Sequence, residues 1–441
     1  MTANRLDSST PPGGGPGLPP LPESWLPREH PLHRPRHGVR QTSSRVAALV
    51  FFCVPLLLLV VGVRAPEFEN RRLADFPSIT DGFGLFTGLD QWATDHLPLR
   101  DKAVQAEDGI SRGVFGEPPQ FKTDQQKKND VGPVVAPTTT EAGVPAPPAP
   151  SEYQQVIEGS DNWLYLGFDV QGACEPKLPL DVVFQRVARL RQVVEASGRK
   201  FVFVVAPNKS TMVPEHLPPG YFGKDCATKA RDEFWKGVVA ETGAVDLRPN
   251  LELAAKKIKG PVYSKFDTHW TFDGGLVYAR AIAEQAKPGV SVTWRSTQGK
   301  VVQVPGDLSS LIGQRKSVVL QSYRLAPDGV DVRSREVEGS FAEPRRVTQS
   351  SGKGVVDAKV GVLGDSFTFY VHQYVVAGFA DITLQNSDFV PADPHRTGAM
   401  LADQDVVVFE AAERSLVGGV NPLLDEGTIA TIAEELAKKP R

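Results

Sequence analysis

Three apolar, β-favouring runs constrain this chain most: KFVFVVAP (200–207), KVGVLGD (359–365) and DVVVFEAA (405–412). The first is unbroken, so it has no polar face and suits a central parallel strand covered on both sides. DITLQN (381–386) and the short AVDL (244–247) add further strand candidates. Helical patterns alternate with them. Asp181 is placed to cap a helix to Ala196, with Phe184, Val187, Leu190 and Val194 on one face and Gly198 closing it. A second helix is expected over about Thr228–Thr242, a third over DGGLVYARAIAEQA (273–286), and a last amphipathic one over TIATIAEELAKK (428–439). Strand–helix alternation predicts a doubly wound α/β sheet. In such sheets, chemistry sits beyond the carboxyl ends of the strands. Residues from about Ser291 to Val356 read as an irregular β-rich insertion with no assigned elements.

The N-terminal third has a different character. Residues 1–45 are rich in Pro, Gly, Ser and Arg, a composition that cannot bury a core and predicts disorder. Val46 to Val63, VAALVFFCVPLLLLVVGV, carries no charge and is near the lower length limit for crossing a bilayer. A signal peptide is the rival reading. The long preceding tail, the length of the run and the lack of a small-x-small cleavage site in VRAPEFENRR favour a membrane anchor. Arg28, Arg34, Arg36, Arg40 and Arg45 precede it, which predicts a cytoplasmic N-terminus and an extracytoplasmic remainder. A helical stalk is expected over 65–116, a Pro-rich linker over 117–152 and the main globular domain over 153–441. With 49 basic against 52 acidic residues, nothing in the charge drives the chain toward nucleic acid. Cys174 and Cys226 both fall on the outer, oxidising side and are expected to form a disulfide, two unpaired buried thiols being the alternative. No Cys/His cluster has zinc spacing, so no metal is expected.

Two short stretches carry chemistry. In YSKFDTHWTF (263–272), Asp267 and His269 stand two apart, and in an extended segment such residues point the same way. In VGVLGDSFTF (360–369), Ser366 follows Gly-Asp just past a strand candidate. A serine hydroxyl needs a base, histidine suits that task, and a buried aspartate fixes the ring and stabilises its positive form. Taken singly, Asp-x-His more often marks a surface turn or a core histidine, and Gly-Asp-Ser a helix cap. Together, at plausible edges of one sheet, they make a candidate triad. Trp270 is a candidate wall of the site or sugar contact, and Asn208 and Lys209, after the first strand, are candidate cleft residues. A turn-forming Asn and a solvated Lys are the plainer alternative. His96, His216, His372 and His395 read as structural or surface residues, and Tyr370 gains no role from proximity alone.

Gly364-Asp365-Ser366 resembles the nucleophile block of the SGNH (GDSL-like) hydrolases, whose sheet is flavodoxin-like. The order here, DTHW before GDSF, is permuted relative to most of those enzymes. It is similar to the SGNH-like domain of the alginate O-acetyltransferases of the AlgJ/AlgX group. ENRRLADFP (69–77), DHLPLRD (95–101), SDNWLYLG (160–167), VAPNKSTMVPEHLP (205–218), GDLSSLIG (306–313) and DVVVFEAAERSL (405–416) extend the likeness in order along most of 67–420. One N-terminal anchor and no added carbohydrate module make the chain more AlgJ-like than AlgX-like. The resemblance implies a circularly permuted SGNH-like sheet, Ser366 as nucleophile, His269 as base, Asp267 as its orienter, and an acetyl-serine whose acetyl passes to a sugar hydroxyl of a polysaccharide or cell-wall glycan. It also implies a multispanning membrane O-acyltransferase as donor partner. The family's usual oxyanion Asn is missing from DVVVFEAAER; the Ser366 amide and Arg414 are the candidate donors, with a structural ion pair between Arg414 and Glu410 as the alternative. No P-loop or Rossmann glycine motif is present, so no soluble acetyl-CoA site and no cofactor are expected. The competing functions are a carbohydrate acetylesterase using the same triad and a non-catalytic glycan-binding scaffold.

Overall fold

The computed structural model describes residues 37–61, scattered positions between 63 and 109, and 152–441 except 340. The chain divides into two units, residues 1–67 with 72–100, and residues 68–71 with 101–441. In the first, a helix runs over His37–Val60 and takes in most of the apolar run. Among the described residues, no helix is long and apolar enough to cross a membrane. The helix begins within the last residues of the expected 1–45 tail; the rest of that tail, 1–36, most of the expected stalk and nearly all of the linker lie outside the described residues.

The second unit is an α/β domain. Strands β1 (Val156–Glu158) and β2 (Leu164–Leu166) form an antiparallel hairpin. The central sheet uses β3 (Lys200–Ala206) and β4 (Val245–Asp246). Strands β5 (Arg295–Pro305) and β6 (Ser317–Ala326) form a separate two-stranded ribbon. Then β7 (Arg345–Thr348), β8 (Val356–Gly364), β9 (Phe379–Asn386) and β10 (Val406–Ala412) complete the central sheet. Its order is β4-β3-β10-β8-β9-β7. Five strands are parallel, but β7 pairs antiparallel with β9, so the sheet is mixed rather than wholly parallel as expected. The unassigned insertion supplies both the ribbon and this edge strand.

Each central strand is apolar on both faces because each face is covered. Val202, Val204, Val360, Val362 and Val408 pack on one side with Tyr278, Ala279 and Ile282 of the helix Phe272–Ala286. Phe201, Phe203, Val205, Val407 and Phe409 pack on the other with Val187 and Leu190 of Leu180–Ala196, Phe234 of Lys224–Thr242 and Ile432 of Glu426–Ala437. Each such side chain contributes about 1.5–3 kcal/mol on burial. The first of these helices begins after Pro179, which stands at its N-cap, with Asp181 inside its first turn rather than capping it. The helix expected from Thr228 starts a turn earlier, at Lys224. Cys174 and Cys226 are disulfide-bonded with their Cα atoms 5.4 Å apart, joining the helix Phe168–Cys174 to Lys224–Thr242.

Parallel register brings three strand ends together. Ala412 of β10 lies beside Ala206 of β3, and Phe409 beside Leu363 of β8. The residues that follow, Asn208, Ser366 and Arg414, therefore leave the sheet at one edge.

Candidate active site

The nucleophile candidate stands on a tight turn. β8 ends at Gly364, and Ser366 opens a single helical turn, Ser366–Phe369. Asp365 caps that turn: one carboxylate oxygen accepts the Phe367 N–H at 2.9 Å, the other the Ala412 N–H at 2.7 Å, stapling the turn to the end of β10. Below it, Glu410 is fully buried. Its Oε2 accepts the Asp365 N–H at 3.1 Å and the Thr368 hydroxyl at 2.7 Å, and the Tyr278 hydroxyl lies 2.8 Å from Thr368 Oγ1. A Cβ at position 364 would collide with Thr368 Oγ1 and crowd Glu410, so the turn requires glycine there. Burial, then the Asp365 charge, pushes the Glu410 carboxyl well above its ordinary range.

The Asp-His pair forms directly. An antiparallel bridge between Tyr263 and Trp270 closes the loop that carries it. Asp267 Oδ1 accepts from His269 Nδ1 at 2.7 Å and from the His269 backbone N–H at 2.9 Å, and both residues are buried. Burial alone would raise the Asp267 carboxyl; the charge and hydrogen bonds of His269, then Lys209, bring it below its ordinary value. Burial likewise works to lower His269, but Asp267, then Asp307, raise it above the usual imidazole value. The bond at Nδ1 leaves Nε2 as the nitrogen available to act as a base.

No hydrogen bond joins Ser366 to His269. The histidine ring stacks on Tyr370 at 4.8 Å and meets Phe367 edge-on at 5.0 Å, so it lies against the turn that Ser366 begins. Among the described residues, Nε2 has no hydrogen-bond partner. Ser366 is half-buried.

The other candidates fare differently. Trp270 is completely buried, packed on Tyr278 and Phe367, so it backs the site from the core and cannot touch a sugar. Lys209 is 3 % exposed. Its ammonium donates to the carbonyls of Ser264 (3.0 Å), Lys265 (3.3 Å) and Asp267 (2.7 Å), holding the His269 loop from beneath rather than facing a ligand. Burial lowers it to about 8 against the opposing pull of Asp307 and Asp267. Asn208 is also buried: its N–H donates to Glu413 Oε2 at 2.9 Å, and its side-chain oxygen accepts the Arg414 N–H at 3.2 Å. Both residues are thus supports, not cleft contacts. The Arg414 guanidinium lies 5.0 Å over the Phe367 ring, and no ion pair with Glu410 forms among the described residues. His216 stacks on Trp163, His395 pairs with Glu435, and His372 bonds the Phe369 carbonyl and the Val337 N–H, all structural or surface roles.

One residue at the site was not singled out from the sequence. Asp307, at the tip of the β5–β6 ribbon, accepts the Thr268 N–H at 2.8 Å and the Thr268 hydroxyl at 2.5 Å, and its Oδ2 lies 3.8 Å from His269 Nδ1. Only its place in the GDLSSLIG stretch could have pointed to it. Asp267, His269 and Asp307 present donor atoms within 4.8 Å of one another. The Nδ1 a metal would need is already engaged by Asp267 at 2.7 Å, so the group reads as hydrogen-bonded rather than metal-binding.

A family model for the SGNH hydrolase-like domain of acetyltransferase AlgX matches residues 156–375, a span that contains Asp267, His269 and Ser366. A protein of Pseudomonas fluorescens named probable alginate O-acetylase AlgJ is 30 % identical over 130 residues, 29 % of this chain and 32 % of that protein. Its namesake in Pseudomonas syringae pv. tomato is 25 % identical over 222 residues, 48 % of this chain and 54 % of that protein. The chain thus spans about half or less of the curated relatives it matches. Among solved structures, the O-acetyltransferase domain of Pseudomonas putida AlgJ aligns with a TM-score of 0.42 at 19 % identity, over 63 % of this chain and 98 % of that one. Bacillus cereus PatB1 aligns with a TM-score of 0.37 at 13 % identity, over 59 % of this chain and 96 % of that one.

Proposed function

This chain belongs to the AlgJ/AlgX-like family of SGNH hydrolase-like proteins, and from that premise we propose that it is an O-acetyltransferase that passes acetyl through Ser366 to a hydroxyl of a polysaccharide or cell-wall glycan. The observation that carries the reading is the buried Asp267–His269 bond at 2.7 Å, which turns Nε2 toward service as a base while the ring lies against the Ser366 turn. In the first half-reaction, Ser366 Oγ attacks the acetyl carbonyl carbon and its proton goes to Nε2. The bond to the leaving group then breaks, and that group departs with the proton. In the second, the glycan hydroxyl gives its proton to Nε2 and attacks the acetyl-serine, and the returning proton restores Ser366. The Ser366 N–H and Arg414 are the donors proposed for the oxyanion.

The same proposal places the domain outside the cytoplasm, anchored by the apolar run Val46–Val63 with arginines before it. A membrane O-acyltransferase would supply acetyl from within, since acetyl-CoA is not available outside. The test is acetyl transfer from a chromogenic acetyl ester to oligosaccharide acceptors. Acceptor-dependent loss of ester, with acetyl recovered on the sugar and abolished in Ser366→Ala, is expected. Ester loss to water alone, unmoved by any acceptor, would assign an esterase instead.

A further inference from the structure

We infer that Asp307 is a second carboxylate working on His269: it fixes the 267–269 turn through Thr268 and holds the positive ring that forms when Ser366 gives up its proton. The inference rests on the proposed role of His269 as base. The geometry is two-fold. Both oxygens of Asp307 engage Thr268, the residue between Asp267 and His269: Oδ1 takes the backbone N–H at 2.8 Å and Oδ2 the hydroxyl at 2.5 Å. Oδ1 also takes the Leu308 N–H at 2.7 Å, which ties the carboxylate to its own helical turn, Asp307–Leu311. From that anchored position Oδ2 stands 3.8 Å from His269 Nδ1, close enough for charge but beyond a hydrogen bond.

The groups facing this ring come from every side. Asp267 faces it from its own loop, Asp307 from the ribbon tip, and the Tyr370 ring from the nucleophile turn, while Lys209 from the end of β3 reaches the Asp267 carbonyl and Arg414 follows β10. With neutral His269, two carboxylates crowd one buried ammonium. With the ring positive, two negative groups meet two positive ones. The site is therefore built to favour the imidazolium, and Asp307 is the carboxylate whose ionisation the positive ring relieves. Burial, then Asp267, raises Asp307, in keeping with that crowding. Asp307 is a positioning residue, since it reaches the chemistry only through Thr268 and His269.

The test titrates His269 itself in the substrate-free full-length chain in detergent micelles, with ring-labelled histidines followed by NMR. The chain has eight histidines, and the His269 signal is identified by its loss in His269→Asn. Asp307→Asn keeps an acceptor for Thr268 and removes the charge. It is expected to lower the His269 midpoint by about one pH unit. Thr268→Val removes the hydroxyl bridge, keeps both carboxylates and should leave the midpoint near that of the wild type. Asp307→Glu keeps the charge but displaces it and should fall between wild type and the Asn variant, an ordering that stands if the Asn variant does not fold. An unmoved midpoint in the Asp307 variants, or an equal fall in Thr268→Val, overturns the inference. Neither outcome involves substrate, so the transferase proposal stands or falls separately on Ser366→Ala.

Discussion

At the scale of single residues, the site is a set of buried charges arranged around one imidazole. Asp267 and Asp307 lie on one side of His269, Lys209 secures the loop below, and Tyr370 covers a ring face. A base raised by neighbouring carboxylates must shed its proton before it can accept one from Ser366. The acid limb of kcat/KM for ester turnover is therefore predicted to lie above the ordinary imidazole value of about 6.5. Asp267→Asn should lower that limb and reduce kcat by a factor on the order of 10⁴. A pH profile unchanged in the Asn variant would show that this aspartate does not act on the base. The Asp267–His269 pair was legible because both residues occupy one short motif, and the structure bonds them directly; the place of Ser366 was legible because Gly-Asp-Ser follows an apolar strand run. Lys209 was not: an ammonium after a strand looks solvated in sequence, and only the closed loop shows it bound to three carbonyls.

At the scale of elements, the carboxyl ends of β3, β8 and β10 are tied by acids that the chain buries. Asp365 joins the Ser366 turn to Ala412, Glu410 supports it from below, and Glu413 holds Asn208 and Thr211 after β3. Burial raises Glu413 from 4.5 to about 7, so the folded state keeps its proton where the unfolded chain has lost it. The unfolded state then binds fewer protons, and stability falls as pH rises through that interval, flattening once both states are ionised. Relative to Glu413→Gln, the wild type is predicted to lose roughly 3 kcal/mol between about pH 4.5 and pH 7. Denaturant melts of both proteins across that range measure it; parallel curves would mean that Glu413 is already ionised in the fold. The parallel strands were readable from unbroken apolar runs, because burial on both faces leaves no polar alternation to confuse. The β5–β6 ribbon and the β7 edge were not. They expose much of one side, so their residues mix polar and apolar without a period, and Asp307 went unnoticed with them.

At the scale of the molecule, the parallel sheet gathers segments that are remote in sequence. The loop with Asp267 and His269 follows β4, the Ser366 turn follows β8, and Arg414 follows β10, yet all meet at one edge of the sheet. Chain order does not matter to that geometry, since strand position rather than strand sequence decides which ends are neighbours. The central claim is that this gathering makes Ser366 a nucleophile with His269 as its base. A fluorophosphonate probe, reacted with the intact chain and mapped by mass spectrometry, tests it most directly. The account predicts label on Ser366 in the wild type and its loss in His269→Ala, with the fold retained by circular dichroism. Label that spares Ser366, or that persists undiminished in His269→Ala, would contradict it.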